Sequence, residues 1–377
     1  MKKEIINIKN SKLAIYNDGN PKGETILFIH GFGSYSYTWE KMLPFLVNNY
    51  RIICVDLKGF GNSNCSKKDF ENLSPLDNAN LIRNLILQKD FKNITIVGHS
   101  LGGLVALLLA LDEKIKDRIK RLNLIASSGY FYHLPDFIDE LRSTVAKKIF
   151  IKYLSDEVLV RIVLNQLIHN HAEITTEDIE NYAKPLKKKY ARKAMIEAAK
   201  QIDLGNVAIK KHNLESLKIP ILITCGADDT IMPLVDAEKI THFISHSKIL
   251  ILDDCGHAPQ LEKSEEVAIA LKAFIEEKLH VVTSIYSVGE YRNKKHSLLC
   301  LKENVDSAQS EKVEDLTGTV HGITLNAIGA GSDDVDFGSK TTIVNKKKAE
   351  EIIEKYITQG ELVDGVIPLS FKTIDEK

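Results

Sequence analysis

Residues 94–103 read Ile94-Thr95-Ile96-Val97-Gly98-His99-Ser100-Leu101-Gly102-Gly103. An apolar, β-branched run ends on Gly-x-Ser-x-Gly and passes directly into a second apolar stretch that continues to Leu111. The run has the composition of a buried strand, and the stretch after it has the length of a helix. A serine on a tight strand-to-helix turn presents its hydroxyl above the sheet edge, and the flanking positions cannot carry bulky side chains. The helix that follows offers unpaired N–H groups and the positive end of its dipole to a developing anion.

Working outward, residues 25–30, 51–57, 121–126, 220–225 and 248–252 are further apolar runs rich in Ile and Val. Helical patterns near 39–47, 76–89, 102–111, 234–243 and 265–279 separate them. Strands without polar alternation, separated by helices, predict a parallel sheet covered on both faces, an α/β doubly wound architecture. Residues 4–8 and 12–16 predict an opening hairpin at one edge.

Serine needs a base. Of 12 histidines, His257 in Cys255-Gly256-His257-Ala258-Pro259 follows the last predicted strand and stands beside a glycine, where the base is required. A carboxylate must orient that imidazole. The loop after residue 225, Gly226-Ala227-Asp228-Asp229-Thr230-Ile231-Met232-Pro233, offers two. Asp253 and Asp254 are closer to His257 in sequence but read as turn residues ending a strand.

In order, His30-Gly31-Phe32-Gly33, Asp56-Leu57-Lys58-Gly59-Phe60-Gly61-Asn62-Ser63, Gly98–Gly103, Gly226–Pro233 and Gly256-His257-Ala258-Pro259-Gln260-Leu261-Glu262 resemble the successive signature blocks of the α/β-hydrolase superfamily, over roughly residues 20–279. The resemblance implies the triad Ser100, Asp229 and His257. In the family pattern the acid stands four positions before the proline, which selects Asp229 over Asp228. It also implies an oxyanion hole from the backbone N–H groups of Phe32 and Leu101, with His30, Gly31, Phe32 and His99 beside the substrate. The Phe32 ring is explained equally by walling an acyl pocket and by plain packing. The activity implied is cleavage of a small carboxylic ester or related acyl compound. Carbon–carbon bond hydrolysis and cofactor-free haloperoxidase chemistry use the same triad, and a non-catalytic binder on the same fold is the alternative of another class. No cofactor is implied.

Two segments depart from the alternation. Roughly ninety residues of helical, Lys-rich sequence separate the strands at 121–126 and 220–225, far beyond an ordinary connection. Residues 130–214 therefore predict an inserted helical lid, with Leu159, Ile162, Val163 and Leu167 at helical spacing. Lys187-Lys188-Lys189 reads as a solvated face, and His169-Asn170-His171 has the wrong spacing for a metal pair. The hydrolase domain is expected over 1–280. Residues 281–377 predict a separate small α+β module, with strands at 280–288, 296–302, 320–327 and 341–344 and a helix at 347–356. The stretch 347–369 faintly resembles the end of thioredoxin-like ferredoxin domains, yet Cys300 is the single cysteine there, which excludes an iron–sulfur cluster. A protein-docking or self-associating appendage is the expectation.

Fifty basic against 51 acidic side chains leave a net charge of −1, with no electrostatic call for nucleic acid or an anionic membrane. No run of 18 apolar residues, no leader-like N-terminus, five cysteines in no disulfide spacing and no metal-ligand motif together predict a cytoplasmic, metal-free protein.

Overall fold

The computed structural model describes residues 1–63, 66–127, 138, 141–142, 154–202, 211–244, 247–277, 279–282, 298–301, 322–325, 342–345 and 366–368. The chain divides into two compact units, one formed by Met1–Ser247 with Asp254–Ala268 and the other by Lys248–Asp253 with Ile269–Lys377.

The fold is α/β. An eight-stranded, mostly parallel sheet runs in the order β1-β2-β4-β3-β5-β6-β7-β8. Its strands are β1 (Lys2–Ile8), β2 (Ser11–Gly19), β3 (Thr25–Ile29), β4 (Arg51–Val55), β5 (Ile94–His99), β6 (Ile119–Ile125), β7 (Ile221–Gly226) and β8 (Lys248–Leu252). The opening hairpin is antiparallel, and β2 pairs antiparallel with β4. From there β4–β3, β3–β5, β5–β6 and β6–β7 are parallel. β1 has polar residues in alternation and sits at the edge; β5 and β7 are buried at every residue. That contrast is the one expected between an edge strand and strands covered on both faces.

Helix α1 (Pro75–Gln88) starts where its sequence says it should. Ser74 and Asp77 form a reciprocal capping box, and Pro75 occupies the first turn. Helix α2 (Leu101–Ala110) follows the serine and is buried on nearly all sides, so its uniform apolarity is a core feature. The helix expected over 39–47 is instead two short 3₁₀ turns, Ser36–Trp39 and Leu43–Phe45. Pro44 lacks the N–H and its ring crowds the preceding turn. Trp39 is fully buried against Phe28, ring centroids 4.9 Å apart.

Between β6 and β7 lie α3 (Asp156–Leu167), α4 (Thr176–Ala183), α5 (Ala191–Lys200) and α6 (Lys211–Ser216). Ser155 and Thr175 cap α3 and α4 through their hydroxyls. Val160 and Leu164 of α3 and Ile179 and Ala183 of α4 form a small core of their own. Tyr35 and Tyr37, from the loop after β3, meet Tyr182 of α4 edge-on at 6.0 and 5.2 Å. The Tyr35 hydroxyl donates to the Asn181 carbonyl at 2.9 Å, and the Tyr37 hydroxyl donates to Asp178 at 3.1 Å. The insert is therefore seated on the first loop by aromatic packing and polar anchors.

Helix α7 (Leu234–Phe243) and the one-turn α8 (Pro259–Glu262) follow β7 and the His257 segment respectively. Helix α9 (Ser264–Ile275) ends short of the expected 279, because Glu277 takes a left-handed φ of 59° and a strand begins at Leu279. In the second unit, β9 (Leu279–Val282), β10 (Leu298–Leu301) and β13 (Val366–Pro368) form an antiparallel sheet in the order β13-β10-β9. β11 (Gly322–Leu325) pairs antiparallel with β12 (Thr342–Asn345). β13 falls within 347–369, whose resemblance to a terminal helix and strand anticipated it, and the helix expected at 347–356 lies outside the described residues. Among the described residues no helix is long and apolar enough to cross a membrane.

Candidate active site

Ser100 is the residue between β5 and α2, with φ 51° and ψ −119°. A non-glycine side chain in that region is strained and persists only where surrounding structure holds it. Here the holding comes from close backbone approach. A Cβ on Gly102 would sit 2.2 Å from the Ile29 carbonyl oxygen, and one on Gly98 would sit 2.4 Å from that of Gly102. The Ser100 N–H donates to the Ile125 carbonyl at 2.9 Å, tying the turn to β6.

The structure brings the three expected groups together. His257 Nε2 is 3.0 Å from Ser100 Oγ, and its Nδ1 is 2.8 Å from Asp229 Oδ2. With Nδ1–H donated to the carboxylate, Nε2 is left to accept the serine proton. The other oxygen of Asp229 accepts N–H bonds from Ile231 and Met232, both at 2.8 Å. Main-chain amides thus hold one face of the carboxylate while the other meets the imidazole. Asp228 instead donates its N–H to the Cys255 carbonyl at 2.9 Å, anchoring its loop to the segment carrying His257.

His257 is buried and is held by more than its ring. Its N–H donates to the Leu167 carbonyl of α3 at 2.7 Å. Its own carbonyl accepts from His99 Nε2 at 2.7 Å. On either side of it, the Glu262 carboxylate accepts the N–H groups of Gly256 at 3.0 Å and Ala258 at 3.3 Å, and it also takes that of His169 at 2.7 Å. Burial pushes the Glu262 carboxyl up, opposed by these three amides. One acidic side chain thereby connects the His257 loop to the insert. Leu167 was expected only as an apolar lid position, and Glu262 was not singled out although it lies inside the motif carrying His257.

Two expectations change. His30 does not face substrate: it is fully buried, accepts the Leu57 N–H on Nε2 at 2.9 Å and donates from Nδ1 to the Gly31 carbonyl at 2.7 Å. Burial keeps it neutral. Its task is to fold the loop beyond β3. Gly31 likewise stands behind the site, with a Cβ there coming 2.9 Å from His99 Nδ1 and 3.1 Å from the Ser100 Cβ. Phe32 and His99 do line the cavity in front of Ser100. The Phe32 ring also packs edge-on against Phe60 at 5.3 Å, so walling and packing are both served. His99 is driven down to about 3 by burial first and by neighbouring His257 second, so it is neutral at physiological pH.

Leu101 is the first residue of α2, where a helix leaves its N–H without an intrahelical partner. The cavity beside Ser100 measures about 290 Å³. The insert supplies an apolar wall that includes Leu159, Ile162, Val163 and Leu167, while Thr38, Tyr182 and Gln260 give one polar corner. Gln260 is fully buried and its Nε2 donates to Thr38 Oγ at 3.1 Å.

Residues 24–264 match the family model described as alpha/beta hydrolase fold. The chain belongs to that family. The alpha/beta hydrolase is 27% identical over 270 residues to the uncharacterized hydrolase YugF of Bacillus subtilis, covering 68% of this chain and 91% of the relative. It is 26% identical over 254 residues to the pimeloyl-[acyl-carrier protein] methyl ester esterase of Neisseria meningitidis, covering 67% of this chain and 92% of that one. Its fold superimposes with a TM-score of 0.63 on the meta-cleavage product hydrolase of Pseudomonas fluorescens IP01, at 20% identity over 73% of this chain and 97% of the other. An enzyme of hydrolase type follows from this membership.

Proposed function

We propose that this hydrolase cleaves small carboxylic esters or related acyl compounds through an acyl-Ser100 intermediate. The observation that carries the proposal is the 3.0 Å approach of Ser100 Oγ to an imidazole whose other nitrogen is 2.8 Å from a buried carboxylate. The similarity to a methyl ester esterase over 92% of that relative's length supports the acyl class.

In the first half-reaction Ser100 Oγ attacks the acyl carbonyl as His257 Nε2 takes its proton. The N–H groups of Leu101 and Phe32 receive the oxyanion, a role in which one donor is worth roughly 3–4 kcal/mol of barrier. The imidazolium, stabilised by Asp229, then gives the proton to the departing alkoxide. Water repeats the sequence on the acyl-enzyme, returning Ser100 to its hydroxyl form. The apolar wall from the insert fits the acyl portion and limits competing water.

A fluorophosphonate probe tests the proposal. Covalent labelling of the folded protein, absent in Ser100→Ala, is the expected result, with loss of p-nitrophenyl ester hydrolysis by about 10⁶-fold in kcat. Failure of the native protein to label would overturn it.

A further inference from the structure

A second and larger cavity, about 500 Å³, lies on the other side of a partition made by Gly33, Tyr182, Leu186 and Met195, which line both spaces. It holds neither Ser100 nor His257. Its rim is formed by Lys12 from β2, Lys188 and Lys189 from the insert, and the turn Phe60–Ser63.

Only some of the described lysines are paired with a carboxylate. Lys41, Lys58, Lys89, Lys187 and Lys200 each meet a carboxylate. Among the described residues no ion pair joins Lys12, Lys188 or Lys189 to one. The Lys188 ammonium donates to two neutral acceptors, the Gly61 carbonyl and Asn62 Oδ1, each at 2.7 Å. Lys189 Nζ lies 5.4 Å from the centroid of the Tyr190 ring. The buried Asp56 faces Lys188, but its oxygens are occupied by Ser36, Asn62 and Tyr16. Burial, with Lys3 as a further positive charge, holds the Lys188 ammonium below its usual range despite Asp56. All three lysines of the run that reads as a solvated face are exposed, and two of them line this space. Lys187 pairs outward with Glu157, while its two neighbours gather with Lys12 around a concavity in a protein of net charge −1.

We propose that this cavity is a binding site for a small organic oxyanion, a phosphate or carboxylate carried on a flat ring. The ammonium groups supply charge-assisted donors to the anion. Phe60, Tyr182 and Tyr190 line the same space and offer aromatic faces to the ring. The assignment is independent of the proposed hydrolysis.

Calorimetric titration of the whole chain with phenyl phosphate at low salt tests it. Binding is expected, weakened by added sodium chloride, retained in Ser100→Ala, and at least about tenfold weaker in Lys12→Gln/Lys188→Gln. Should the Lys188 variant fail to fold, Lys12→Gln/Lys189→Gln carries the same expectation, since among the described residues neither side chain makes a hydrogen bond or ion pair. Benzoate separates the two anion sources, and whichever binds more tightly names the preferred group. Equal binding of phenol, undiminished binding by the lysine variants, loss in Ser100→Ala, or no binding to the native chain would each overturn the proposal. Equal affinity for inorganic phosphate would overturn its ring component.

Discussion

The two cavities are separated by little more than the side chains of Tyr182, Leu186 and Met195, yet they are made differently. In the first, every group placed for chemistry comes from the sheet or from loops hydrogen-bonded to it, and the insert adds apolar surface. In the second, two of the three cations come from the insert, and no nucleophile is paired with a base. The sheet provides a constellation fixed to within a hydrogen bond. The insert lines the space in front of that constellation. The triad groups and the apolar lining thus come from different elements, and each can be altered while the other is watched.

The largest break is chemical. Asp229→Asn keeps the shape of the carboxylate but puts a donor opposite Nδ1, favouring the wrong imidazole tautomer. Such a change is expected to lower kcat by about 10⁴-fold. Phenyl phosphate affinity should be unchanged in the same variant, because the second cavity does not contact Asp229. Parallel ester kinetics and titration check both halves. A loss below about tenfold in kcat would show that another group orients the base.

How much of this was legible in the chain differs by range. The Ser100 turn, the His257 segment and the Asp229 loop are short stretches whose residue types are forced by local geometry, so a motif reading finds them. The capping of α1 was equally local. The 3₁₀ turns at 36–45 were missed because the apolar spacing outweighed Pro44 in the reading. His30 was misplaced for a different reason. Its task depends on the Leu57 N–H, which arrives from the end of another strand, and nothing near His30 announces it. The partition is still less visible, since Tyr182 of the insert finds Tyr35 and Tyr37 in the loop after β3, on the far side of three intervening strands in sequence. Likewise the Lys188 contacts are with Gly61 and Asn62, far away in sequence, and its lysine neighbours do not announce them.

A smaller effect tests the partition itself. Met195 is buried, and its Cε lies 3.2 Å from where a Gly33 Cβ would stand. Met195→Ala should join the two spaces at some loss of stability, about 2–5 kcal/mol for a core truncation of this type. Esters with longer acyl chains should then gain about tenfold in relative kcat/KM over short ones. Ester hydrolysis should also become sensitive to phenyl phosphate as a competitor. An unchanged chain-length profile would mean that Tyr182 and Leu186 alone divide the cavities.

The smallest effect concerns His99, the residue before Ser100. The unfolded chain protonates His99 below its ordinary value of 6.5, while the folded chain refuses that proton until about 3. The folded state therefore binds fewer protons between these values, and stability falls as pH drops through that window, by at most about 1.4 kcal/mol per pH unit for one site. His99→Asn removes the titration while leaving a donor for the His257 carbonyl. Its melting temperature should fall less steeply from pH 6.5 towards 4 than that of the native chain. Some slope must persist, because buried His30 is shifted in the same direction. Identical slopes in the two proteins would mean that His99 takes up its proton in the folded state, and the hydrogen bond at the His257 carbonyl would then be carried by an imidazolium.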